Sequence, residues 1–123
     1  MAGLITAQRV VTINDGNNVV LQIPTMTDTI TQSANRFYYA VKNVGTTEES
    51  IDFSTVDITT NGELMLENMD STNYVDWGIG AGTYTGRLKA GRRAGPFQLA
   101  AGATLYLKAN TAACNVRIFM AND

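Results

Sequence analysis

The sequence predicts an all-β protein, an antiparallel β-sandwich with a jelly-roll-like arrangement of strands. Apolar and polar residues alternate with a period of two in many short segments, as they do in strands with one buried face. Turn signals separate these segments about every 8–12 residues, and no longer stretch carries a helical stripe. We therefore expect roughly eight to eleven short strands in two sheets that pack face to face.

The first predicted element is a β-hairpin formed by residues 9–13 and 19–23. Both segments alternate, and Asp15-Gly16 lies between them. Glycine supplies the positive φ that a twisted hairpin turn requires.

The segments on either side of this hairpin are expected to be irregular. Residues 1–8 show no strand pattern, so we predict an extended N-terminal arm there and a single domain over residues 9–123. The segment 23–35 is polar and contains a proline. It is predicted to be a loop, with at most one helical turn in residues 27–34.

The rest of the chain continues the alternation. Leu64 and Leu66 alternate with Glu63, Met65 and Glu67, and another strand has Phe37, Tyr39 and Val41 on one face. The predicted segments are 36–44, two short ones within 51–60, 63–68, 74–79, 95–99, 103–109 and 115–120.

The composition excludes several common kinds of catalytic and metal site. The chain has no histidine and a single cysteine, Cys114, so the usual general base, zinc ligands and internal disulfides are not expected. We predict no enzyme activity, no cofactor and no metal, and a buried, structural Cys114. The net charge is −2, so nucleic acid is not expected as a partner. No apolar run is long enough for a transmembrane helix, and no signal peptide is recognised.

The charged residues are unevenly distributed. Eight of the eleven acids lie between Glu48 and Asp76, and four bases lie close together at Arg87, Lys89, Arg92 and Arg93. The acids are expected to be solvated, although two of them in a cleft would suit a small hydrolase. The bases are candidates for protein contact, with phosphate binding as the alternative. The acidic and basic regions could also meet in a head-to-tail contact between copies. Alternatively, the uneven distribution of charge has no functional role.

Two aromatic residues are weaker candidates for a ligand platform. Trp77 and Tyr84 could present rings to a carbohydrate. The alternation of Trp77 with Val75 and Ile79 favours a position in the core instead.

Three segments of the second half resemble small β-rich virion proteins of tailed bacteriophages. These segments read NMDSTNYVDWG (68–78), RLKAGRRAGPFQLAAGATLYLKA (87–109) and NTAACNVRIFMAND (110–123). Gly91 and Gly102 match the family's turn glycines best, whereas Arg92-Arg93 departs from the polar or acidic residues expected there.

The resemblance implies a non-enzymatic structural protein of the phage particle. The first expectation is a capsid decoration (cement) protein, assembled in the host cytoplasm and located in the virion. It would bind the major capsid protein or another virion protein and form a homo-oligomer, with a trimer favoured. The alternative is a tail, neck or fibre-associated β-sandwich that binds a receptor or carbohydrate.

Overall fold

The computed structural model describes residues 3–32, 36–53, 62–100 and 102–122, and within them every regular element is a β-strand. This confirms the all-β prediction. None of these residues belongs to a helix that could span a membrane. The strands are β1 (Leu4–Asp15), β2 (Asn18–Thr31), β3 (Phe37–Val44), β4 (Glu49–Ile51), β5 (Gly62–Asn68), β6 (Val75–Gly78), β7 (Gly86–Leu88), β8 (Arg93–Leu99), β9 (Leu105–Ala109) and β10 (Cys114–Asn122).

The strands form three antiparallel sheets. β1 and β2 pair only with each other, as a hairpin. The other eight form sheet I, in the order β3-β10-β5-β8, and sheet II, in the order β4-β9-β6-β7. Their pairing is nested along the chain, because β3 pairs with β10, β4 with β9, β5 with β8 and β6 with β7.

Sheets I and II contribute side chains to one hydrophobic core. Alternate residues of each strand point into it, so Leu64 and Leu66 are fully buried while Met65 between them is exposed. Complete burial of a side chain of this size contributes about 1.5–3 kcal/mol. The fully buried apolar side chains include Val44, Leu64, Leu66, Val75, Leu105, Leu107, Val116, Ile118 and Met120.

Cys114 is a free, fully buried cysteine at the start of β10. Burial raises the pKa of its thiol, because a thiolate would lose its hydration there. The prediction of a buried cysteine is confirmed.

The hairpin is confirmed but is longer than predicted. Gly16 has a φ of 60° in its turn, as the Asp15-Gly16 signal required. The expectation of a strand-free arm is wrong from Leu4 onward, since Leu4 pairs with Thr31. The predicted loop at 23–35 is also strand as far as Thr31. Its threonines suit an extended backbone, and Pro24 is tolerated because β2 has a free edge and the register shifts there.

The predicted turn glycines and the predicted strand at residues 36–44 are also present in the structure. Gly91 and Gly102 both adopt a positive φ, between β7 and β8 and between β8 and β9 respectively, as turn glycines should. The strand predicted at residues 36–44 is β3. Most of the segment 51–60, residues 1–2 and residues 33–35 lie outside the described residues.

Candidate functional site

The basic cluster is partly neutralised within the chain. Arg87 donates from Nε to Asp76 Oδ1 at 2.7 Å and from Nη2 to Oδ2 at 3.2 Å, and its guanidinium lies 3.7 Å from the centre of the Tyr74 ring. The Asp76 carboxylate therefore raises the pKa of Arg87. Arg93 pairs with Glu67. Acidic and basic regions thus meet inside one copy at these two pairs.

Lys89 and Arg92 remain exposed at the turn between β7 and β8. Arg92 N donates to Lys89 O at 3.0 Å, and Gly91 takes a φ of 69° between them, as in a type II turn. Gly91 N also donates to Asp70 O at 3.0 Å, which fixes the turn on the body. Among the described residues neither side chain has an ion pair, so both charges face solvent.

Trp77 packs against the core, as its alternation with Val75 indicated. Its ring stacks on Phe97 of sheet I, with centroids 5.2 Å apart and planes 22° apart. It also lies over Gly86, where an added Cβ would come within 2.2 Å of the ring. The indole therefore connects the two sheets instead of forming an open platform.

Tyr84 is held by the half-buried carboxylate of Glu48. Its hydroxyl donates to Glu48 Oε2, which also accepts from Gly82 N at 2.7 Å. The Tyr84 hydrogen bond, and then the one from Gly82, lower the pKa of Glu48. The same carboxylate raises the pKa of Tyr84 to about 12. A ligand at this ring would compete with an internal hydrogen bond, and the ligand role of both aromatics stays a prediction.

The outer half of the β1–β2 hairpin exposes apolar side chains. We call residues 10–27 the distal hairpin. Val11 pairs with Ile23 and Ile13 with Leu21, so these four side chains share one face, the aliphatic face. Val11, Ile13 and Leu21 are 42%, 51% and 47% exposed. The opposite face carries the polar pair Thr12 and Gln22.

Sheet I has an apolar patch on its outer face. Phe37 and Tyr39 are each 59% exposed and Val41 is 50% exposed, and together they form the β3 patch. The alternation of β3 was predicted correctly, but its most apolar face is the one turned away from the core. β3 is also an edge strand of sheet I as described, because β10 alone among the described strands pairs with it.

The inner half of the hairpin covers part of this same outer face. Ile5 and Ala7 border a cavity of about 330 Å³ together with Met65 and Phe119 of sheet I. In the next row of the sheet, Glu63 is buried and therefore departs from the prediction of solvated acids.

Gln32 fixes the base of the hairpin. It is buried, and its Nε2 donates to Asn122 O at 2.8 Å and to Arg36 O at 3.1 Å. Its backbone N donates to Gly3 O at 2.9 Å.

The described residues contain no group of three or more cysteine, aspartate or glutamate side chains arranged to hold a metal ion. Several of the acids have arginine partners instead. Glu67, for example, accepts from both Arg93 and Arg117, the latter at 3.0 Å.

Comparison of the chain with protein-family models, with curated proteins and with solved structures gives no match. The resemblance to phage virion proteins therefore stays a prediction.

Proposed function

We propose that this protein is a non-enzymatic structural component of a tailed-phage particle. Within the particle, we propose that it is a capsid decoration protein, which stabilises the shell through protein contacts. The observation that carries the proposal is the exposed apolar surface on the distal hairpin and the β3 patch. Contiguous exposed apolar surface of this kind is typical of protein interaction sites. The protein would assemble in the host cytoplasm and reside in the virion.

The strand order supports a jelly-roll sandwich as the scaffold. Four nested antiparallel pairs alternate between sheet I and sheet II, as they would in a two-stranded ribbon rolled on itself. The shared core and the contact of Trp77 with Phe97 support packing of the two sheets face to face. Jelly rolls recur in viral capsid proteins, although the fold alone does not define a function.

Lys89 and Arg92 are the part of the basic cluster best suited to contact the shell. They are exposed at a fixed turn, while Arg87 and Arg93 already have acidic partners. Two uncompensated cations on a rigid turn favour attraction to an acidic surface and have modest effects on fold stability.

The alternative of a receptor- or carbohydrate-binding module gains no specific support. It relied on Trp77 and Tyr84, and both take part in internal contacts. The hydrolase alternative relied on a carboxylate pair, and Glu67 and Asp76 are both paired with arginines.

The test is cosedimentation of the purified protein with empty shells assembled from the major capsid protein of the same genome. Wild type should sediment with the shells and raise their resistance to heat. Lys89→Ala with Arg92→Ala should weaken binding several-fold, most clearly at low salt. Lys108→Ala, another exposed cation on β9, is the matched control and should bind normally. Absence of wild-type binding at micromolar concentration would refute the proposal.

A further inference from the structure

The distal hairpin needs a cover that the described residues of its own chain do not provide. An isolated two-stranded hairpin is at best marginally stable in water. Natural edge strands are normally protected by charges, yet residues 10–27 contain a single charged side chain, Asp15, at the turn. Among the strands that the structure describes, none pairs with the outer edge of β1 or β2 there, and the aliphatic face is exposed.

The aliphatic face continues a face that is already packed. Ile5 and Ala7 of β1 lie towards sheet I, and by the period-two alternation Val11 and Ile13 lie on the same side of the strand. The register shift after Arg9 falls where the hairpin leaves the body. The first half of β1 therefore covers sheet I, and its second half carries the aliphatic face beyond the edge of sheet I.

The β3 patch is the uncovered continuation of the surface that Ile5 and Ala7 cover. Phe119 of β10 lies between Met65 of β5 and Tyr39 of β3, so one apolar row crosses three strands. The hairpin borders the row at Met65 and Phe119, whereas Tyr39 remains exposed. In the adjacent row Ala121 is buried while Phe37, paired with it, is exposed.

The two surfaces together have the size that a specific contact requires. From their exposed fractions, the aliphatic face and the β3 patch expose roughly 600 Å² of apolar side chain between them. Since interfaces are about 56–65% apolar, the whole contact would bury on the order of 1,000 Å², near the lower bound for specific association.

We propose that the aliphatic face of the distal hairpin packs on the β3 patch of a second copy of this chain. The contact is head-to-tail, because each copy gives its hairpin to one neighbour and its β3 patch to the other. Such contacts close into a ring when the rotation permits. This inference rests on the proposed function only in treating the protein as one that acts through protein contacts, and it identifies the self-interface.

Two variants each remove one half of the contact. Ile13→Lys with Leu21→Glu replaces an apolar cross-strand pair by an oppositely charged one, which keeps the hairpin paired while making its face polar. Phe37→Thr with Tyr39→Thr keeps β propensity on β3 but removes its aromatic rings. Native mass spectrometry should show a ring for wild type and monomers for each variant.

The matched control changes the other face of the hairpin. Thr12→Lys with Gln22→Glu introduces the same charges at an exposed cross-strand pair that lies opposite the aliphatic face. It should form the same oligomer as wild type. Fluorescence of Trp77, which is packed between the sheets, reports whether each variant is folded.

Mixing the two monomeric variants gives the decisive result. One supplies an intact β3 patch and the other an intact hairpin, so an equimolar mixture should form a one-to-one heterodimer and no ring. A contact between two hairpins would instead leave the β3 variant fully assembled, and the mixture would contain no heterodimer. Either of those results, or a monomeric wild type at tens of micromolar, overturns the inference.

Shell binding is measured separately in the same samples. A monomeric wild type that still binds shells would refute the ring and leave the proposed function standing, with the hairpin then docking on the shell. A ring that does not bind shells would refute the proposed function and leave the self-interface standing.

Discussion

Replacing Asn68 should destabilise the fold more than its small size suggests. Asn68 lies at the end of β5 and is fully buried. Its Nδ2 donates to Asn73 O at 2.8 Å and to Leu88 O at 3.1 Å, and its Oδ1 accepts from Asp70 N at 3.0 Å. One amide thus holds a loop and connects sheet I to β7 of sheet II.

The expected loss follows from those three hydrogen bonds. A typical bond contributes about 1 kcal/mol net, and a buried group left without a partner costs about 1–3 kcal/mol. Asn68→Ala should therefore lower the free energy of unfolding by about 3 kcal/mol. Asn68→Leu fills the volume but supplies no polar atoms, so it should still lose about 2–4 kcal/mol.

Urea unfolding followed by Trp77 fluorescence measures these losses, because Trp77 is the only tryptophan and stacks between the sheets. Protein concentration must be held constant, since self-association would stabilise the folded state. Asn43→Ala is the control. That amide donates to Asn115 Oδ1 in an exposed pair, so the change should cost less than about 0.5 kcal/mol. Losses below about 1 kcal/mol for both Asn68 variants would refute the reasoning.

Three further predictions concern a close backbone approach, a side-chain hydrogen bond and a buried thiol. Gly95→Ala should destabilise by about 2–4 kcal/mol in urea unfolding, because Gly95 has a φ of 88° and an added Cβ would lie 2.4 Å from a β5 carbonyl oxygen. Gly102→Ala, with a φ of 75° and open space around it, should cost only about 1 kcal/mol; equal losses would show that the close approach is unimportant. Tyr84→Phe should raise the pKa of Glu48 in a carboxyl NMR titration, and Glu48→Gln should lower that of Tyr84 from about 12 towards 10.0 in an ultraviolet titration. Since the folded-state pKa of Glu48 is lowered, its stabilising contribution is present above the unfolded-state pKa and lost as the pH falls through the folded value; an unchanged Glu48 pKa in Tyr84→Phe would contradict this. Cys114 should react with a thiol reagent only as fast as the protein opens, and rapid labelling of the native protein would contradict its burial.

The sequence predicts best where polar and apolar residues contrast sharply. Leu64 and Leu66 lie between Glu63 and Glu67, and Val116 and Ile118 flank Arg117, so both strands and their apolar buried faces can be recognised, although Glu63 is itself buried. Charged residues supply the contrast, because an unpaired charge is rarely buried. β3 lacks it. With aromatic residues on both faces, alternation predicts the strand but cannot say which face is buried.

The length of the hairpin could not be predicted for a related reason. Residues 27–31 are polar except for Ile30, and one apolar residue is too little pattern to distinguish a strand from a loop. What extends β2 to Thr31 is its partner, since residues 4–7 pair with 28–31. Each segment looks irregular alone, and only their mutual pairing stabilises both.

Sheet register decides which charges meet, and register is not readable from one sequence. Arg93 and Glu67 lie opposite each other on β8 and β5, and Arg87 and Asp76 on β7 and β6. The sequence showed an acidic region and a basic one. The fold places Arg87 and Arg93 beside acids on adjacent strands of one copy, which weakens the charge attraction first considered between copies.

With that charge attraction weakened, apolar burial is the main source of the proposed self-association. Ordering the distal hairpin costs conformational entropy that its own two strands do not offset. In the proposed ring, the neighbour's β3 patch supplies the missing hydrophobic cover, so ordering of residues 10–27 and association are coupled. This coupling also explains the scarcity of charge along the hairpin. Charges that protect a free edge in a monomer would oppose the contact on which the hairpin's stability depends.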